Sequence, residues 1–274
     1  MNSQSIQRGF TLIELIIVIV LSGIVASMTV SILTLPINAY VDSARRATLT
    51  DSAESAMNRM KRDIQAALPN SIRVSSDGQS LELLQVIDGG RYRRQSATDG
   101  SGDILDLTVA DTSFDVIGGL QHLAEVSLGN DFVTIYPLTS TGSDPYSGDN
   151  TTTISNTTTA DHIVFTAFQF PRKSPQQRFF IINNNAISYR CDTSAAAPKN
   201  KVLMRYQGYG IEAVQPEPPN TGGAIQANYM SACTFSYNSG SSLRSGLVTI
   251  ELILTDESGE SIRLTHQVHV SNQP

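Results

Sequence analysis

The stretch "RGFTLIELIIVIVLSGIVASMTVSILTLP" (Arg8–Pro36) decides how the rest of the chain is read. Between Gly9 and Pro36 lie 26 residues without a Lys, Arg, Asp, Asn or Gln, and the only strongly polar side chain among them is Glu14. As a helix this run rises about 39 Å, against a hydrocarbon core of about 30 Å. It predicts a single helix, long enough to span a membrane with some tilt. A cleaved secretory signal would have a basic start, an apolar core of roughly 7 to 15 residues and a small-x-small site. Here Met1–Gly9 carries one Arg and no Lys, and the core is too long, although Ala26-Ser27 resembles a cleavage site. The positive-inside rule places Arg8 in the cytoplasm and the large C-terminal part outside.

Glu14 is the anomaly. A carboxylate near the middle of a spanning helix costs roughly 2.5 to 3.5 kcal/mol on insertion scales and marks a function with a partner charge. The nearest basic side chains are Arg8 upstream and Arg45 downstream. A cut between Gly9 and Phe10 would create a new ammonium at Phe10, four residues before Glu14. Those charges can meet within one helix or between neighbouring chains, and the second arrangement sets an axial register.

Gly9-Phe10-Thr11-Leu12-Ile13-Glu14, followed by an apolar helix, resembles the class III signal of the type IV prepilin and pseudopilin superfamily at all its defining positions. The resemblance implies cleavage after Gly9 by a membrane-embedded prepilin peptidase, N-methylation of Phe10 by the same enzyme, and an assembly salt bridge from Glu14 to a neighbour's N-terminal ammonium. It implies as partners the lipid bilayer, an inner-membrane assembly platform, and other minor and major pilins. It also implies a single-pass protein of the inner membrane with its C-terminal domain in the periplasm, passing into a pilus on assembly.

After Pro36, which is expected to kink or interrupt the helix, residues Ile37 to Leu68 resume a helical period: Leu49, Ala53, Met57, Met60, Ile64 and Leu68 recur every three or four positions. The stripe suits a helix laid against a sheet. Arg45, Arg46, Arg59, Lys61 and Arg62 stand on the other side, with an i,i+4 ion pair open to Asp42 and Arg46, and Pro69-Asn70 is expected to end the helix.

From Ile72 the texture is β. Short β-branched or aromatic runs bounded by Gly, Asp, Asn or Pro occur at Ile72–Ser75, Ser80–Ile87, Ile104–Val109, Ala124–Leu128, Phe132–Tyr136, His162–Phe168, Phe179–Asn183 and Val202–Tyr206. Leu247–Thr255 and Ser261–Val270, joined by Asp256–Glu260, read as a hairpin with Ile250, Leu252, Leu254, Ile262 and Leu264 on one buried face. The expected class is α+β: a long N-terminal helix, membrane-spanning in its first half and amphipathic in its second, packed on an antiparallel β-sheet head. The divisions follow as a leader at 1–9, a transmembrane or filament-core helix at 10–35, an amphipathic helix at 36–70 and a β-rich globular head at 71–274. Residues Thr139–Asp161, rich in Thr, Ser, Asn and Gly, read as an exposed loop or insertion, and Gln215–Gly223 as a second flexible place.

Cys191 and Cys233, with 41 residues between them, fall on the side of the membrane where disulfides persist. They allow one intramolecular bridge, whose closure is worth about 4 kcal/mol in the chain-entropy model. Metal binding is the poorer reading, since no CxxC or nearby His completes a ligand set. His266 and His269 are three apart on a strand and point to opposite faces. Asp99, Asp103, Asp106, Asp111 and Asp115 form an acid-rich stretch that matches no EF-hand loop, so calcium is a minor reading. No phosphate loop, nucleophile elbow or catalytic carboxylate pair stands out, and neither an enzyme nor a cofactor is expected. Net charge is −6 from 19 basic and 25 acidic residues, with no basic run longer than two, so no nucleic-acid partner is expected.

Two further likenesses bear on the type of subunit. The segment Arg45–Val74 is similar to the helix-to-sheet junction of the MshO-type large minor pilins of the mannose-sensitive haemagglutinin (MSHA) pilus system, and the C-terminal hairpin to those of J-type pseudopilins and W-type minor pilins. Major subunits of such filaments are usually shorter, so the resemblance implies a minor pilin acting in pilus biogenesis or initiation. The alternatives are a minor pseudopilin of a type II secretion system and a tip adhesin that uses the 139–161 loop for cell adhesion.

Overall fold

The computed structural model describes residues 9–220, 222–239 and 245–270, so the leader residues 1–8 lie outside the described residues. The chain divides into two compact units, 1–48 and 49–274. Helix α1 (Leu12–Gln65) gives its first part to one unit and its last part, from Leu49, to the other.

In the first unit every described side chain from Gly9 to Thr48 is exposed, including Phe10, Leu12, Ile13, Ile19, Val25 and Tyr40. The stretch Leu12–Thr29, apolar nearly all round and with none of its residues buried, suits lipid or other helices as its solvent. The hydroxyls here turn back onto the helix: Ser27 donates to the Ile24 carbonyl and Thr29 to the Val25 carbonyl, both at 2.8 Å. Pro36 does not interrupt α1, which runs through it. The loss of one N–H donor is tolerated where the neighbouring turns keep theirs. Asp42 is 3.6 Å from Arg45, an i,i+3 ion pair.

The second unit is α+β. The end of α1 buries Leu49, Ala53, Met57, Met60 and Ile64 of the stripe expected from the period, with Ala56 beside them, while buried Leu68 lies beyond its end. It meets two antiparallel sheets. The larger contains β1 (Arg73–Val74), β2 (Ser80–Tyr92), β3 (Asp111–Ile117), β4 (Phe132–Thr134), β5 (Thr151–Thr153), β6 (His162–Phe168), β7 (Arg178–Asp192), β8 (Val202–Gln207) and β9 (Ala224–Asn228). Its main path is β5-β4-β7-β2-β3-β6, with β1 added on β2, and β8 on β7 followed by β9. The smaller is β10 (Met230–Asn238), β11 (Gly246–Thr255) and β12 (Ser261–Val270), in that order. Along β11, buried Val248, Ile250, Leu252 and Leu254 alternate with less buried neighbours, and Ile262 and Leu264 of β12 pack beside them. The turn between β11 and β12 is closed by Asp256, whose carboxylate accepts from the backbone N–H of Ser258 and Glu260, with Gly259 at φ +87°.

One core joins α1 to both sheets through Leu81, Leu83, Tyr189, Leu203 and Phe235. A second, around Phe114, Ile135, Ile154, Phe165, Phe170 and Phe179, lies away from the helix. Its rings meet edge to face or tilted, with Phe114 at 5.2 Å from Phe179 and 5.7 Å from Phe165, a geometry favoured by the ring quadrupole.

Several expectations are corrected. α1 ends at Gln65, before Pro69, because Ala67 already bridges to Gln85 and the Leu68 N–H donates to the Leu84 carbonyl at 2.7 Å. Ile104–Val109 is not a strand: Leu105 is buried alone, and the strand follows at β3. Ala124–Leu128 starts within a short 3-10 turn, Leu123–Glu125. The 139–161 segment is not a loose insertion. It supplies β5 at one end of the large sheet and buries Tyr146 and Ile154, and Ser143, Asn150, Thr152 and Thr158 are buried with them.

Candidate functional site

Gly9 and Phe10 precede α1 in non-helical conformation, and Phe10 is 79 % exposed. Thr11 caps the helix. Its hydroxyl accepts from the Glu14 backbone N–H, while the Glu14 carboxylate accepts from the Thr11 backbone N–H and hydroxyl, all at 3.3 Å. This is a reciprocal capping box, in which two donors left open by the first turn are satisfied. A negative charge in the first turn also faces the positive end of the helix dipole. The carboxylate that looked unpartnered from charges alone is thus held locally by two contacts from Thr11, while Phe10, four residues earlier, stays free of burial. The signal was in the sequence as Thr-x-x-Glu ahead of an apolar run, and the search for a charged partner passed over it. Downstream, Leu12–Thr29 has a mean hydropathy of 2.4 over 18 residues, none of them buried.

The remaining residues singled out from sequence lie in the second unit. Cys191 on β7 and Cys233 on β10 are bonded as a disulfide with Cα atoms 6.4 Å apart, which links the two sheets. His266 is half-buried on the face of β12 that carries Leu264, and His269 is exposed on the other. The acid-rich stretch is divided among separate tasks. Asp99 and Asp106 accept from the backbone N–H groups of Ser101 and Thr108, and Asp111 accepts from the Asp106 N–H. Asp115 accepts from Arg93 Nε at 3.1 Å and lies 2.9 Å from His162 Nδ1, while Asp103 lies 3.9 Å from His162 Nε2. The hydrogen bond with His162 holds the Asp115 carboxyl below the usual carboxylate range, helped by the Asp103 N–H and Arg93. Among the described residues no group of three or more His, Cys, Asp or Glu is arranged to hold a metal ion.

Two buried polar clusters were not anticipated. Asp63, near the end of α1, accepts from the Tyr189 hydroxyl at 2.6 Å and from Arg205 Nε at 2.7 Å, fixing the helix to β7 and β8. Burial and the bond to Asp63 push the Tyr189 hydroxyl well above its ordinary pKa. Glu82, fully buried on β2, accepts from Arg73 at 2.5 Å and from the Tyr209 hydroxyl at 2.8 Å. Burial raises the Glu82 pKa, and Arg73 opposes it. The same guanidinium lies 3.7 Å over the Tyr146 ring and donates to the carbonyls of Glu212 and Ala213. Three separated pieces of chain thereby close on the Arg73 guanidinium.

The comparisons with known proteins bear on the N-terminal segment. Residues 4–30 match the family described as the prokaryotic N-terminal methylation motif. This match marks a type IV prepilin-like class III signal and supports a subunit of the pilin and pseudopilin kind, whose N-terminal apolar helix is consistent with a single-pass membrane anchor. No curated protein and no solved structure matches the chain.

Proposed function

We propose that the chain is a minor pilin of an MSHA-like type IV pilus, a structural subunit rather than an enzyme, acting in pilus biogenesis or initiation. Residues 1–9 are the leader, 10–35 the membrane and filament-core helix, 36–70 the amphipathic helix and 71–274 a periplasmic head. A prepilin peptidase cuts after Gly9 and methylates Phe10. The observation that carries this reading is Gly9-Phe10 directly ahead of Glu14, the one carboxylate in the apolar stretch Leu12–Thr29, of which none is buried.

The mechanism follows from electrostatics. Outside the filament, Glu14 is held by Thr11 in the capping box, which offsets part of the cost of a carboxylate in hydrocarbon. Cleavage frees an ammonium at Phe10. When the helix moves from lipid among other pilin helices, Glu14 takes a neighbour's ammonium, a contact between two ionised groups in place of bonds from uncharged donors. The Cys191–Cys233 bridge braces the head in an oxidising compartment. Intact mass and N-terminal sequencing of the protein from cells with and without the prepilin peptidase test this proposal. A chain starting at N-methyl-Phe10 only when the peptidase is present supports it. A chain keeping Met1 in both strains, or starting near Ser27, overturns it.

A further inference from the structure

Among the described residues, the sheet edges of the head are closed, short or covered, with one exception. The main path of the large sheet ends at β5 and β6, and these two ends are joined to each other. Ile154 bridges to Phe165, the Ser155 N–H donates to the Val164 carbonyl, and the Thr152 hydroxyl donates to the Thr166 carbonyl. Strand β9 has five residues, and its ladder with β8 shifts between Leu203 and Met204. Strand β10 is covered on its outer side, where the N–H groups of Phe235 and Met230 donate to the carbonyls of Gly78 at 2.7 Å and Lys201 at 3.0 Å.

The exception is β12. Its ten residues run in unbroken register with β11, and among the described residues no other backbone group bonds to it. Such an edge presents a row of N–H and C=O groups, which proteins blunt with Lys, Pro or a bulge. Strand β12 (Ser-Ile-Arg-Leu-Thr-His-Gln-Val-His-Val) has none of these and no acid, and its one Arg, Arg263, is paired with Glu251 of β11. On one face Ile262, Leu264 and His266 are only half-buried. Beside them opens a cleft of about 290 Å³, lined by Leu264, Thr265 and His266 and by Glu54, Met57 and Asn58 of α1. The other face exposes Ser261, Arg263, Thr265, Gln267 and His269.

This pattern restricts what can be added to the edge. A new strand must set apolar side chains beside Ile262 and Leu264 and polar ones beside Arg263 and Thr265. Strand β12 turned back on itself about Thr265 does so. It sets Ile262 opposite Val268, Leu264 opposite His266, Arg263 opposite Gln267, Ser261 opposite His269, and Thr265 opposite Thr265. Partners in each pair differ by an even number of residues, so both strands keep their apolar side chains on one face. No two like charges meet, and a central Thr–Thr pair is a favourable one. The imidazole of His266 from one copy, opposite Leu264 of the other, lies at a cleft whose α1 wall carries the carboxylate of Glu54.

We propose that two copies of this chain pair antiparallel through their β12 edges, joining two three-stranded sheets into one. The contact is isologous and uses the open edge of each copy, so association stops at the dimer, whereas a filament needs heterologous contacts. For a filament subunit, β12 pairing is therefore a contact of the unassembled protein. That last step rests on the function proposed above; the pairing itself does not.

The test is sedimentation of full-length protein in detergent micelles from about 1 to 100 µM, a range that populates dimers with dissociation constants of that order. Expected is a monomer–dimer equilibrium. T265K and T265E each oppose like charges at the centre of the pair and should weaken the dimer about fivefold or more, at an unchanged thermal midpoint because Thr265 is exposed. An equal mixture of the two should restore it. The control S55K, on the exposed face of α1, should stay within about twofold of the parent. The native cysteines are bonded to each other, so T265C adds one reactive thiol. Facing residues of an antiparallel pair have Cα atoms about 4.5 to 5.5 Å apart, within the span of a disulfide, and T265C should form a covalent dimer on oxidation. Q267C, about 13 Å from its copy in this register, should not. A parent that stays monomeric overturns the proposal, including the case in which a strand of another protein takes the edge. So does a dimer that T265K and T265E weaken no more than S55K, a mixture that fails to restore it, or cross-linking of Q267C as fast as T265C.

Discussion

Replacing Asp63 by Ala should be the most damaging single change to the packing of α1 against β7 and β8. Asp63 accepts two short hydrogen bonds, from Tyr189 and Arg205, and the side chains of Asp63 and Arg205 are only 13 % and 8 % exposed. Removing the carboxylate leaves a guanidinium buried beside a tyrosine hydroxyl with no acceptor. Breaking a buried pair from one side costs about 3 to 5 kcal/mol, because the surviving charge stays desolvated. Arg205 NH1 keeps its contact with Gln207, so the lower half of that range, about 3 kcal/mol, is expected. Asp63→Asn keeps one acceptor and should cost less. The double variant Asp63→Leu/Arg205→Met removes both charges and should recover at least half of the loss, since well-packed apolar replacements of buried ion pairs are often neutral or better. The assay is urea denaturation of full-length protein in micelles, followed by near-UV circular dichroism. A loss under about 1 kcal/mol for Asp63→Ala, or a double variant as unstable as the sum of its singles, would refute the reasoning.

Three other outcomes are expected. Glu14→Ala should leave membrane insertion and leader cleavage intact but lower incorporation into filaments; normal piliation in that strain, scored by shearing and immunoblot, removes the assembly role of Glu14. Tyr146→Ala deletes a buried ring, its cation–π contact with Arg73 and its hydrogen bond to the Ser71 carbonyl, and should cost about 3 to 5 kcal/mol; limited proteolysis should then cut first within residues 139–150. The lowered pKa of Asp115 means that its contribution is present above its unfolded value of about 3.9 and is lost as pH falls through the lower folded value. Stability measured from pH 5 to pH 2 should therefore fall less steeply below about pH 4 in Asp115→Asn than in the parent, and equal slopes would count against the His162 contact.

What could be read in advance was what repeats. The stripe at the end of α1 and the β11–β12 hairpin each place several large apolar residues at a fixed period, so local sequence and tertiary burial agree. Strand β3 escaped because Asp111-Thr-Ser-Phe-Asp-Val-Ile offers only Phe114 and Val116 to the core, and its acids drew attention to metal chemistry. Strand β5 is three threonines at one end of the sheet, and its order comes from long-range partners: Val133↔Thr152 in the ladder, and Tyr146 under Arg73. No local pattern encodes such contacts. At the N-terminus the methylation motif of residues 4–30 and the apolar helix were legible because Gly9, Phe10, Glu14 and the apolar run are contiguous. Its capping box was equally local, and went unread only because a charge, rather than a backbone N–H, was sought as the partner of Glu14.

The end of α1 has a mechanical consequence. Its last residues do not dangle into a turn: the Val86 N–H donates to the Ala66 carbonyl and the Leu68 N–H to the Leu84 carbonyl, so the chain leaving the helix is stitched along β2. Tension along this chain therefore meets two backbone hydrogen bonds to β2 at the point where the helix ends. The Asp63 contacts with Tyr189 and Arg205 share the load one turn earlier. A pull on the helix end is spread across β2, β7 and β8 before any strand must leave the sheet, which is how a rivet behaves rather than a zip.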